Sequence, residues 1–327
     1  MTTASQGSPA PRFASPLAVL LLLALMLASL LVGVADLSWS ALSDQDWLIL
    51  LASRLPRTLA LVLCGTSLAV SGLIMQMLVS NRFVEPGTTG TLEAATLGLL
   101  LMALFAPGLG VFTKMLVAAL CALGGSLLFM ALLRAIPLRS VVMVPLVGIM
   151  LGGVIGSVTL FIAYRFNLMQ SLANWTNGDF SAVLRGRYEL LWLTAALTGI
   201  AYAAANRFTL IGLGRNLAMN LGLGYRSVML LGLIIVSLIS AVTVVTAGVI
   251  PFLGLIVPNV VSLMLGDNLR RSLPWVAWLG AVLVLVCDLL GRLLRYPYEI
   301  PIGTVMGVLG SALFIYLLLK RTRPAYV

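Results

Sequence analysis

Two pairs of charged side chains stand out in an otherwise apolar chain: Arg54 and Arg57, three apart, and Asp288 and Arg292, four apart. On a helix either spacing puts both side chains on one face. The arginine pair makes a positive patch suited to carboxylates, because a guanidinium offers a planar fork of donors. The plainer alternative is that both snorkel to anionic headgroups. Asp288 and Arg292 have the spacing of a helical ion pair, with a proton site as the alternative. Glu93 is the other acid near membrane depth. Absences narrow the chemistry further. No histidine occurs, which removes histidine-ligated zinc or haem and every Ser-His-Asp or Cys-His nucleophile. Cys64, Cys121 and Cys287 lie far apart inside apolar runs and read as small hydrophobes, not as a disulfide or metal framework. Neither lysine, Lys114 or Lys320, follows a glycine, so no Walker A sequence is present. These residues imply no catalytic group, no cofactor and no metal site. They imply electrostatics at the ends of helices.

The elements that must hold them are membrane helices. Of 327 residues, 61% are apolar and 9% charged, against about 25% charged in a soluble domain. A spanning helix needs roughly 20 mostly apolar residues. Ten candidate runs occur, near 17–35, 58–79, 94–106, 112–133, 141–163, 188–205, 228–247, 251–265, 274–294 and 302–319. The third and eighth are short. Pro251 and Pro258 bracket an expected break within 248–259, where irregular backbone has to be enclosed by protein. The first run is longer than the ~7–15 apolar residues of a signal peptide, follows a single charge, Arg12, and lacks a small-residue cleavage site, so it reads as a retained helix. Nearly all of the net charge of +10 falls on the set of connections that includes both termini. By the positive-inside rule that set is cytoplasmic. The basicity is thus a topology signal and not a nucleic-acid surface. The expected architecture is an all-α integral membrane protein of about ten spanning helices with both termini cytoplasmic. Tails at 1–16 and 320–327 flank one membrane domain over 17–319. The 31 glycines read as packing between helices, Gly65, Gly72, Gly148, Gly152 and Gly156 among them.

Four stretches carry a family resemblance. Arg54-Leu55-Pro56-Arg57 opens the second helix, which continues to Gly65, Gly72 and Gln76. Asn81-Arg82-Phe83-Val84-Glu85-Pro86-Gly87 is followed by Gly90 and Gly98. The third stretch is Gly248-Val249-Ile250-Pro251-Phe252-Leu253-Gly254-Leu255-Ile256-Val257-Pro258-Asn259. In the fourth, Asp288 and Arg292 precede Glu299-Ile300-Pro301-Ile302-Gly303, Gly307 and Gly310. In this order, on ten helices, the chain resembles the FecCD-type permease family of ABC importers, which includes the vitamin B12 permeases. Asn81-Arg82-Phe83-Val84 with the turn Thr88-Thr89-Gly90-Thr91 looks like the branch that serves catecholate siderophores. The resemblance implies a vitamin-B12-permease-like (type II ABC importer) fold in a bacterial inner membrane. It implies a permease subunit that hydrolyses nothing, two cytoplasmic ATPases, an extracytoplasmic substrate-binding protein and a second permease subunit, a different chain rather than a copy. Its cargo would be a ferric siderophore.

The same resemblance assigns sites. Arg54, Arg57 and Arg292 match arginines that receive acidic residues of the binding protein. The polar stretch 206–227 matches a coupling loop, with Arg215, Leu217, Ala218, Leu221 and Gly222 meeting the ATPase. From the residues alone, Leu217, Ala218 and Leu221 share a face of a short helix that ends at Gly222 or Gly224, and an interfacial amphipathic helix is the alternative. The family's usual Leu-Gly-Glu is here Leu213-Gly214-Arg215, so no particular ion pair with the ATPase is implied. Asn81, Phe83, Ser140 and Val141 fall in two inner connections that narrow the pathway at its cytoplasmic end; interfacial anchoring is the plain alternative for Phe83. A vitamin B12 or haem importer remains open within the family. A secondary transporter would call for paired acids at mid-membrane or a repeat of broken helices, and neither is evident.

Overall fold

A computed structural model of the chain describes residues 14–33, 43–136, 142–266 and 268–321. Among them every regular element is helical. In chain order these are α1 (Ala14–Leu31), α2 (Asp44–Ile49), α3 (Leu55–Val79), α4 (Thr91–Phe105), α5 (Val111–Ala135), α6 (Met143–Arg165), α7 (Met169–Thr176), α8 (Leu191–Ala203), α9 (Ala205–Gly212), α10 (Arg215–Asn220), α11 (Tyr225–Ala247), α12 (Leu253–Leu265), α13 (Leu269–Leu293) and α14 (Ile302–Arg321). A π-helical turn, Leu50–Arg54, joins α2 to α3, and a 3-10 turn, Pro86–Thr89, precedes α4. Each of the ten apolar runs holds one membrane-type helix: five are long enough to cross alone, and five are shorter. The third and eighth runs fold as α4 and α12, of 15 and 13 residues.

The central helix is α3. Its buried side chains run all round it from Ala60 to Leu78, as expected of a helix enclosed by others. Glycines fix its crossings. A Cβ at Gly65 would lie 2.6 Å from the Gly280 carbonyl oxygen of α13, and one at Gly72 would collide with the Gly254 carbonyl of α12. Such close approach gains dispersion contacts, which matter where lipid offers no hydrophobic drive between helices. Gly148 and Gly152 of α6 likewise fit against Thr88 and Glu93. Gly156 departs from the packing expectation, because nothing lies within 4 Å of its Cβ position.

Two prolines correct the expected helix ends. The sequence starts the second helix near residue 58, with Arg54 and Arg57 just outside it, yet helical backbone runs from Asp44 to Val79. Pro56 has no N–H for the carbonyl four residues back. The chain widens into the π turn just before it, and the Ala52 carbonyl accepts from the Arg185 N–H at 3.0 Å. The second correction concerns 248–259. The break is confined to the residues before Leu253, where Gly248 (φ 84°) and Phe252 (φ 64°) turn the chain, and α12 continues through Pro258. The Gly254 carbonyl, which Pro258 leaves without its helical donor, accepts from Gln76 Nε2 at 3.3 Å. Each proline is tolerated because a remote donor satisfies the carbonyl it strands.

Candidate functional site

At the outer end, three helices share one polar cluster. Arg57 of α3 donates from Nη2 to Asp288 Oδ1 of α13 at 2.7 Å and from Nη1 to Glu299 Oε2 at 2.7 Å. Arg292 pairs with the other oxygen of Asp288, one helical turn away. Its Nη1 also donates to the carbonyls of Ser29 (3.0 Å) and Val32 (2.7 Å), at the end of α1. Arg54 donates to the carbonyls of Leu30 (2.7 Å) and Leu31 (3.0 Å). Two guanidiniums thus cover the last carbonyls of α1, the negative end of its dipole. Within this chain the three arginines are not equally presented. Arg54 and Arg292 are buried, and a buried guanidinium is stabilised by the acceptors that its terminal nitrogens find here. Arg57 keeps an exposed edge beside Glu299. Asp288 is an ion-pair partner of two arginines, as its spacing to Arg292 suggests.

The inner end is arranged in the opposite sense. Gly222 (φ 78°) closes α10 with paired bonds, Gly222 N–H to Met219 O at 2.9 Å and Leu223 N–H to Ala218 O at 3.1 Å. This is the Schellman arrangement, which needs a left-handed residue after the helix and so favours glycine. Ala218 faces its own chain and is buried. Arg215 is exposed. Leu217 and Leu221, four apart, stand 48% and 58% exposed, with Leu213 at 57% four residues earlier. Exposed leucines in a row beyond the apolar span mark a contact surface.

Between α3 and α4 lies the first inner connection. Ser80 ends α3 in the left-handed region (φ 51°), and Asn81 Oδ1 accepts from the Phe83 N–H at 2.9 Å, which makes a tight turn. The Phe83 ring meets Phe314 of α14 edge-on, with centroids 6.2 Å apart. Ser140 and Val141, the other half of the expected constriction, lie outside the described residues.

Sequence reasoning missed Glu85. Its carboxylate is buried and accepts from the Phe252 N–H at 3.1 Å and from the N–H groups of Gly254 and Leu255. It therefore caps α12 from 167 residues away, with Asn259 Nδ2 bonding the Arg82 carbonyl at 2.8 Å beside it. Burial pushes the Glu85 carboxyl up to about 7, since desolvation outweighs the three donors that favour its charged form. A signal was present: α12 follows Ile-Pro-Phe and has no Ser, Thr, Asp or Asn to cap it. A helix without its own cap, and an acid alone in an apolar loop, are complementary wants.

Comparison with known proteins agrees with this fold. The profile of the FecCD transport family matches residues 17–320. The chain is 48% identical over 305 residues to the petrobactin import system permease protein YclN of Bacillus subtilis, covering 92% of this chain and 96% of that protein. It is 41% identical to the ferric-anguibactin transport system permease protein FatD of Vibrio anguillarum, covering 93% and 98%. Against the vitamin B12 import system permease protein BtuC of Salmonella arizonae the identity is 33%, covering 92% and 93%. A solved metal-chelate type ABC transporter in an inward-facing conformation superposes with a TM-score of 0.81 at 24% identity, covering 95% of this chain and all of that one.

Proposed function

Because the chain belongs to the FecCD transport family, we propose that its cargo is a ferric siderophore, of the catecholate type. Family membership makes it a multi-pass permease subunit of the inner membrane, with ATP hydrolysis on a separate subunit. The observation that carries the cargo assignment is the gradient of likeness: 48% and 41% to permeases named for petrobactin and ferric-anguibactin, against 33% for vitamin B12. The Asn81-Arg82-Phe83-Val84 motif supports the catecholate type.

In the proposed mechanism the ATPases grip α10 through Leu213, Leu217 and Leu221, with Arg215 at the rim. Movement then has a short packed route. Gly212 at the end of α9 lies against Met77 of α3, and Gly232 of α11 lies against Leu78 and Phe208. Met77 and Leu78 stand just before Ser80 and Asn81, so displacement of α9 shifts the turn that carries Phe83. Asn81 and Phe83, with Ser140 and Val141, form the cytoplasmic gate. At the outer end a binding protein docks by offering Arg57 a carboxylate in place of Glu299, while Arg54 and Arg292 hold the platform. A second, different permease subunit completes the pathway.

Uptake of radiolabelled iron by an iron-starved strain lacking this gene, with and without the gene restored, tests the cargo. Ferric catecholates are expected to enter only when the gene is present. Import of vitamin B12 or haem instead, with no ferric chelate entering, overturns the assignment.

A further inference from the structure

Between α4, α6 and α7 lies a cavity of about 520 Å³ that the mechanism above does not use. Its polar lining is Glu93 and Thr96 of α4, Thr159 of α6 and Thr176 of α7; most of the rest is aliphatic, Leu160 and Met169 included. Glu93 packs against Gly152, nine residues into α6. At 1.5 Å per residue that is about 14 Å from the inner end of α6, near the middle of the hydrocarbon.

The carboxylate accepts from its own backbone N–H, and its Oε2 is buried without a hydrogen-bond partner. The neighbouring threonines donate to backbone carbonyls instead. Thr96 donates to Leu92 O at 2.9 Å, Thr159 to Ile155 O at 2.8 Å and Thr176 to Leu172 O at 3.0 Å. Each offers the cavity only lone pairs. Among the described residues no lysine, arginine or amide side chain lines it. Acceptors around one carboxylate call for a donor, and a positively charged donor answers them most strongly. An acid at this depth is costly unless something answers it, and for that reason usually serves function. Size narrows the choice. The cavity far exceeds the ~30 Å³ share of one water, so a bare metal ion leaves its aliphatic walls unfilled, whereas an alkylammonium group satisfies carboxylate and walls together. Leu160 and Met169 at its edge are 50% and 42% exposed, so the cavity is reached from the surface of the subunit. The helix it flanks, α6, is the least enclosed of the five long spanning helices.

We propose that this cavity is a subsite for a protonated amine on the transported chelate, with Glu93 as its counter-ion and Thr96, Thr159 and Thr176 as further acceptors. The inference rests on the ferric-chelate reading above and sharpens its substrate class.

The test uses the whole importer in proteoliposomes and two matched ferric chelates, one with a free alkylamine and one with that amine acetylated. The wild type is expected to take the amine form with a KM about tenfold lower, the scale of one charge-assisted bond. Glu93→Gln should remove that preference by raising the KM of the amine form alone, and Glu93→Asp should keep part of it. Propylammonium chloride should raise the thermal midpoint of the detergent-solubilised wild-type importer and not that of Glu93→Gln, a readout independent of transport. Equal KM values for both chelates, with no propylammonium effect, overturn the subsite while leaving siderophore import intact. Uptake of the acetylated chelate that depends on sodium or potassium through Glu93 overturns it in favour of an inorganic ion. If the wild type carries neither chelate, the cargo assignment fails, and the propylammonium arm still decides the site.

Discussion

The two ends of this permease treat their conspicuous residues in opposite ways. At the outer end the arginines that look made for a partner are folded inward, onto Asp288, Glu299 and the last carbonyls of α1. At the inner end, leucines that composition alone would bury stand exposed on α10. The difference follows from what each solvent tolerates. A guanidinium at the membrane boundary is costly without acceptors, and the chain itself offers the nearest ones. An exposed leucine costs only its unburied area, so it can wait for another subunit. The outer cluster is therefore chiefly a joint, and the exposed leucines suit the inner helix to the proposed role of a socket.

Breaking the joint should have the largest effect. Asp288→Asn leaves Arg57 and Arg292 without their shared carboxylate, and removing one partner of a buried pair costs about 3–5 kcal/mol. Thermal unfolding in detergent should show a much lower midpoint with ATPase copurification lost only in proportion to the unfolded fraction. An unchanged midpoint would mean the arginines are solvated and free to dock.

Loading the socket should do the reverse. Leu217→Asp or Leu221→Asp places a charge where a groove must desolvate it, at several kcal/mol, so ATPase copurification should fall by a hundredfold or more. The thermal midpoint of the isolated permease should stay within a degree or two. Normal uptake with normal copurification would return α10 to the status of a helix lying on the membrane.

The third test concerns Glu85, in the inner connection between α3 and α4. Its carboxyl has a raised folded-state value of about 7, so the folded protein binds that proton more tightly than the unfolded chain. The stability it contributes is fully present below about 4.5 and is lost as pH rises through about 7. Over that window the wild type should lose up to about 3 kcal/mol, and Glu85→Gln should flatten the profile. Unfolding midpoints across this pH range are the measurement; the same slope in both proteins would show that the three backbone donors keep the carboxylate charged throughout.

The legible part of this molecule was whatever depends on contiguous residues. Ten apolar runs gave ten membrane-type helices, because crossing hydrocarbon is a demand on composition over a length. The short helix α10 was visible for the same local reason, with its end at Gly222 or Gly224, of which the structure uses Gly222. What escaped depends on residues far apart. Arg57 finds Asp288 across 231 positions and Glu299 across 242, so nothing near Arg57 in the sequence shows that its charge is already answered. Pro258 resembles a helix breaker until Gln76 supplies the missing donor. Ala218 shares its residue class with the exposed leucines beside it and differs only in which way the helix is rolled.

The capping of α1 also imposes an order in time. Arg54 follows the carbonyls of Leu30 and Leu31 by 24 and 23 residues, so those acceptors find their donor almost as soon as the second helix is made. The carbonyl of Ser29 waits for Arg292, 263 residues later. At the usual 5–20 residues per second of synthesis, that is about 13–50 s. Throughout that interval Arg57 also lacks Asp288 and Glu299, since both belong to the last part of the chain. The nascent first hairpin must therefore stay at the lipid–water boundary with one arginine unpaired, or be sheltered by the insertion machinery, until the ninth spanning helix arrives and closes the outer end.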